Sequence, residues 1–110
     1  MNRPLPYTTL TALNALPADP IIIVECEHNG RRFIMDRDMD RANWRNTVQD
    51  IASGEIENVC EVWEIGRDES VTEDIAREVL ALARKDANGE QLPYGVREFC
   101  HEQLGTGVCA

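Results

Sequence analysis

GEIENVCEVWEIGRDESVTEDIARE, residues 54–78, contains a strand pattern followed by a helix start, and the rest of the chain is read outward from it. Val59 to Ile65 is rich in β-branched and aromatic side chains, which favour a pleated, half-buried strand. At period two, Ile56, Cys60 and Val62 share one face, and Cys26 and Cys60 read as small buried apolar residues. Glu55, Glu57, Val59, Glu61, Trp63 and Ile65 share the other, which begins acidic and ends apolar. Gly66 to Glu69 then reads as a turn. Ser70 and Glu73 fit a capping box, in which each side chain satisfies a free amide of the other residue's backbone. The helix that follows, Val71 to about Lys85, sets Ile75, Val79 and Leu82 on one stripe with Ala76, Leu80 and Ala83 beside it. Its acidic residues come early and its basic ones late, as the helix dipole favours, and Asn88 and Gly89 end it.

Upstream, Ile21 to Glu27 reads as a strand whose first half is buried on both faces, and Arg31 to Met35 as its partner. Asn29 and Gly30 supply the positive φ angles of a tight hairpin between them. A helix with Trp44, Val48 and Ile51 inward, Thr47 beside them, follows, with Asp38 or Asp40 as its N-cap and Gly54 as its stop. Downstream, Pro93 opens a last helix that turns Val96, Phe99, Cys100 and Leu104 inward until Gly105. Residues 1–20 read as an N-terminal arm or short helix carrying Leu10, Leu13 and Leu16, and 106–110 as a loose tail. The length of 110 residues suits one domain. The predicted fold is a single α+β domain of order (α)ββαβαα, a three-stranded, mainly antiparallel sheet packed against helices.

The formal charge is −9, and it is uneven. Residues 1–54 carry six basic and seven acidic side chains; residues 55–110 carry five and thirteen. Direct binding to DNA or RNA is disfavoured, since affinity for phosphate comes largely from Lys and Arg. A basic protein surface would be attracted. The only basic concentration is Arg31, Arg32, Arg37, Arg41 and Arg45. No apolar run reaches membrane-spanning length, and no export signal is read at the N-terminus, so the expected location is the cytoplasm, with Cys26, Cys60, Cys100 and Cys109 reduced.

No pattern in the chain points to catalysis, a cofactor or a metal. Asp36, Asp38 and Asp40 match the first ligand positions of a calcium-binding loop, yet Arg41 stands where glycine is needed and Thr47 where a bidentate Glu is needed. Cys26, His28, Cys60 and Cys100 lack the short paired spacing of zinc sites. Cys100 and His101, adjacent on a helix, diverge and so make no nucleophile–base pair. The expected role is non-enzymatic.

In the hairpin ending RRFIMDRDMDR, the DIASGEIENV turn and the VTEDIARE helix start, across residues 21–78, the chain resembles the small acidic accessory proteins of phages and prophages. That resemblance implies an inhibitor of host defence, anti-CRISPR-like or anti-restriction, of the kind that presents carboxylates at phosphate-like spacing to a nucleic-acid-binding channel. The expected contact residues are Glu57, Glu61, Asp68, Glu69, Glu73, Asp74 and Glu78, docked on the basic surface of a protein partner. Glu57 and Glu61 stand out, because no local structural reason for their acidity is evident in the sequence. The alternative is an interaction or regulatory module, or a homodimer, using apolar contacts around Trp63 and Ile65 or an exposed sheet edge.

Overall fold

A computed structural model describes residues 20–66 and 69–105. The expected arm or helix over residues 1–19, the tail 106–110, and Arg67 and Asp68 lie outside the described residues. Within them the order is β1 (Ile22–His28), β2 (Arg31–Ile34), a 3-10 turn (Met39–Arg41), α1 (Trp44–Ala52), β3 (Val59–Glu64), β4 (Glu69–Ser70), α2 (Thr72–Ala87) and α3 (Tyr94–Leu104). The four strands form one antiparallel sheet in the order β2-β1-β3-β4. The α+β class stands. The expected three strands are four, because Glu69 and Ser70, read as turn and cap, pair with Glu64 and Trp63.

The β1–β2 hairpin forms as Asn-Gly chemistry requires, with Asn29 at φ 53° and Gly30 at φ 78°. Ile22, Val24 and Cys26 of β1 join Val59 and Val62 of β3 on one face. There they pack with Thr47's neighbours Val48 and Ile51 of α1, with Ile75, Ala76 and Val79 of α2, and with Val96, Phe99 and Cys100 of α3. Central to the helical layer is α2, which contacts α1, α3 and β3. The other sheet face carries no helix among the described residues. Ile21 and Ile23 on it are only half-buried, which corrects the expectation that the first half of the first strand is buried on both faces.

Three local expectations fail for stated reasons. In β3, Val59 rather than Cys60 is in the core, because the ladder with β1 shifts register between Glu25 and Cys26: Cys26 faces Val59 and Glu25 faces Glu61, leaving Cys60 as the extra residue of a bulge. At α1, Asn43 is the N-cap, its side chain accepting from the Asn46 N–H at 2.8 Å; Asp38 and Asp40 flank or enter the 3-10 turn instead. At α2, the capping box does not form. The helix starts one residue later, after Val71; Ser70 is in β4, and Glu73 pairs with Arg77.

The short β4 explains that third failure. Val62 offers its N–H and C=O to the β4 side, where the ladder has already ended. Its carbonyl accepts from the Val71 N–H at 2.8 Å, and its N–H donates to the Thr72 hydroxyl at 2.9 Å. A side chain on the first turn of α2 thus stands in for a missing strand residue, and the sheet edge passes directly into the helix.

Candidate interaction surface

The carboxylates named from the sequence separate into groups with different tasks. Glu61, half-buried on β3, accepts hydrogen bonds from the hydroxyls of Ser70 and Thr72, the latter at 3.0 Å. It therefore has a local structural role that the sequence did not reveal. Glu73 and Asp74, both exposed, pair with Arg77, the Asp74 contact at 3.3 Å. Glu78 accepts from the Trp44 indole Nε1–H at 2.7 Å, tying α2 to the start of α1. Among the described residues only Glu57 and Glu69 of the set are exposed with no hydrogen-bond or ion-pair partner. They stand at opposite ends of β3, roughly 20 Å apart at about 3.3 Å per residue. Asp68 lies outside the described residues. The exposed face of α2 also carries Arg84 and Lys85, so four acids (Glu73, Asp74, Glu78 and Asp86) face three bases and it is not a single negative patch.

Part of the basic concentration, Arg37 and Arg41, is likewise spent internally. The Arg37 side chain, only 8% exposed, donates to the Thr47 hydroxyl at 2.9 Å, the Arg41 carbonyl at 2.6 Å and Asp50 Oδ2 at 3.0 Å. Arg41 reaches Asp50 Oδ1 at 2.6 Å. Burial works against the charged form of Asp50, but the hydrogen bonds and charges of Arg41 and Arg37 outweigh it and hold its carboxyl below the usual range. The hydrogen bond to Asp50 correspondingly raises Arg41. This network pins the loop after β2 onto α1 beside an open groove of about 480 Å³ lined by Met35, Asp36, Arg37, Asp38 and Glu55 among others. Both of its arginines are satisfied.

The thiols are placed for packing. Cys26 is fully buried, and desolvation, with Cys60 and Glu25 nearby, pushes its pKa up to about 11 despite Arg37. Desolvation also raises Cys60. Cys100 faces the core, and His101 turns away from it along α3 with its Nε2 buried and without a hydrogen-bond partner among the described residues. Among the described residues, no three His, Cys, Asp or Glu side chains gather to hold a metal ion, and Cys26, His28, Cys60 and Cys100 are not brought together.

What the fold does assemble is the uncovered sheet face. Ile34 of β2 pairs with Glu25 of β1, Ile23 of β1 with Trp63 of β3, and Glu25 with Glu61. All therefore point to the side away from the helices. Ile23, Ile34, Trp63 and Ile65, with the buried Glu64, line a hollow of about 250 Å³. Ile34 is 56% and Ile65 45% exposed, high for aliphatic side chains lining one hollow. Glu25 fixes the indole: its carboxylate accepts from Trp63 Nε1–H at 3.2 Å and pairs with Arg32 at 3.6 Å. Glu27 and Glu61 extend the acidic margin along the same face.

No family model, curated protein or solved structure matches this chain. Among the described residues no helix is long and apolar enough to cross a membrane.

Trp63 and Ile65 were legible from the sequence as one apolar end of a strand face. Ile23 and Ile34 were not, because only the β1–β3 register brings them beside Trp63, and nothing local encodes that pairing. The Asn-Gly hairpin was the available signal for half of it, since it sets Ile34 opposite Glu25.

Proposed function

We propose that this chain is a non-enzymatic binding module that docks a protein partner on the uncovered sheet face, apolar residues of the partner meeting Ile23, Ile34, Trp63 and Ile65 and basic ones meeting the acidic margin. The observation that carries the proposal is the gathering of these four side chains around one hollow on a face that no described helix covers. Apolar centres with charged rims are the usual anatomy of such contacts. Charge selects the partner: Glu25, Glu27 and Glu61 outnumber Arg32 here, within a chain of net charge −9, so a basic protein is favoured and face-to-face pairing of two copies is opposed. A basic, nucleic-acid-binding surface of a host defence complex, the target that the anti-CRISPR-like resemblance suggests, has this chemistry. Under that reading Glu25, Glu27 and Glu61 are the carboxylates on the docking face, whereas Glu69, opposite buried Glu64, lies on the helix side of the sheet.

The test begins with capture of partners from host lysate at low and high salt, followed by titration of the purified partner. Ile34→Asp with Ile65→Asp, both at exposed positions, should weaken binding by roughly tenfold or more while leaving the fold intact. Glu73→Lys, Asp74→Lys and Glu78→Lys together should matter much less. If the helix substitutions abolish binding and the isoleucine ones do not, the contact lies on the acidic helix and the sheet-face proposal fails.

A further inference from the structure

The outer edge of the sheet is β2, whose four residues are all exposed. Its Cα partners on β1 alternate between hydrogen-bonded and open pairs. The Met35 N–H bonds to the Val24 carbonyl at 2.8 Å, which makes Val24–Met35 a bonded pair. By alternation Cys26–Phe33 and His28–Arg31 are bonded, while Glu25–Ile34 and Glu27–Arg32 are open. The N–H and C=O groups of Arg32 and Ile34 therefore point away from β1, and among the described residues nothing bonds them. Phe33 lies between them with its side chain 44% exposed on the helix side of the sheet.

We propose that this edge pairs with the same edge of a second copy, antiparallel and centred on Phe33, to form a two-fold dimer with one continuous sheet. In that register Arg32 of each copy exchanges N–H and C=O bonds with Ile34 of the other, which satisfies the outward groups. Phe33 meets Phe33 at an open pair, the position where cross-strand side chains approach closest. Gly30 falls opposite Asp36, so exposed Arg32 of one copy is the diagonal neighbour of exposed Asp36 of the other on the same face. The edge is thus complementary to itself in backbone, ring and charge, and this favours a second copy over an unrelated extended peptide. At the opposite edge, β4 has only two residues, and Thr72 already takes the Val62 N–H there. The dimer leaves the docking face of the preceding proposal open, and the two ideas stand or fall separately.

Sedimentation equilibrium on the full chain over a wide concentration range is the test. Wild type should show reversible monomer–dimer exchange. Phe33→Glu, which sets like charges opposite each other on the axis, should weaken the dimer by roughly tenfold or more. Ile34→Pro removes only an outward N–H, which an edge strand tolerates, and should do the same. Arg32→Asp and Asp36→Arg should each weaken association, and the double exchange should restore it. The two positions lie about 13 Å apart along one copy at about 3.3 Å per residue, so rescue requires contact between copies. A chain that remains monomeric at all concentrations, or a dimer indifferent to Phe33→Glu and Ile34→Pro, overturns the proposal; circular dichroism of each variant confirms that its fold is retained.

Discussion

Thr72→Val tests the junction between the sheet edge and α2 with little change of shape. Thr72 is 3% exposed, and its hydroxyl accepts the Val62 N–H at 2.9 Å while contacting Ser70 Oγ at 2.8 Å and Glu61 at 3.0 Å. Valine fills nearly the same volume but leaves the Val62 amide in the core with no acceptor. An unsatisfied buried N–H costs about 1–3 kcal/mol, and the neighbouring hydroxyl and carboxylate lose a partner as well, so about 2 kcal/mol is the working figure. With a urea dependence of about 1.5 kcal/mol per molar for a domain of this size, the unfolding midpoint should fall by about 1.3 M. Urea denaturation followed by Trp fluorescence reads this directly. Thr72→Ser, which keeps the hydroxyl and loses a methyl group, should fall by only about half as much. If Thr72→Val unfolds within about 0.3 M of wild type while Thr72→Ser is the more damaged, the hydroxyl is not replacing a strand rung and the account of the β4–α2 junction is wrong.

Asp50→Asn should cost about 3 kcal/mol at pH 7, because it strands the nearly buried Arg37 guanidinium. Asp50 has its folded-state pKa depressed, so its contribution is fully present above the unfolded carboxylate value of about 4 and is lost as pH falls through the folded value. The stability gap between wild type and Asp50→Asn should therefore be constant from pH 5 to 7 and close in acid; a gap that persists unchanged at pH 2 contradicts this. Native-state alkylation at pH 8, read by peptide mass spectrometry, should label half-exposed Cys60 well before Cys26, whose thiol is buried and titrates only at about 11. Equal labelling rates would show that the β1–β3 ladder opens readily at its bulge.

Features written in short-range chemistry were legible in the sequence. The Asn29-Gly30 hairpin, the apolar stripes of α1, α2 and α3, the stop at Asn88 and the Pro93 start of α3 all depend on residues within a turn or two of each other. What failed depends on pairing between distant segments. The bulge at Cys60 shifts which β3 residues face the core, and no local pattern records that shift because it arises only against β1. Ser70 and Glu73 satisfy the capping-box spacing, yet β4 pairing and the bonds to Glu61 and Thr72 draw Ser70 elsewhere, while Arg77 takes Glu73. Cap preferences amount to about 1 kcal/mol, small enough for a ladder and a side-chain cluster to override them. The candidate surface follows the same rule: Trp63 and Ile65 were visible as a strand end, but their companions Ile23 and Ile34 come from across two strand pairings.

The chain's acidity takes a different meaning from the fold. Glu25 orients Trp63, Glu61 gathers Ser70 and Thr72, Glu78 holds Trp44, and Asp50 fastens Arg37 and Arg41. In each case a carboxylate serves as acceptor for a donor on another element, joining the strands and helices to one another. These carboxylates belong to the net −9 that sets the chain's long-range field, and each already has a partner within the chain. Steering and recognition are then separate properties. The field accelerates encounter with a basic protein and is screened at physiological salt over about 8 Å. The lifetime of the complex rests on desolvated contacts at Ile23, Ile34, Trp63 and Ile65, which salt does not weaken. Raising ionic strength should accordingly slow association with a docked partner while leaving dissociation nearly unchanged, whereas a contact built on carboxylates alone would lose in both rates.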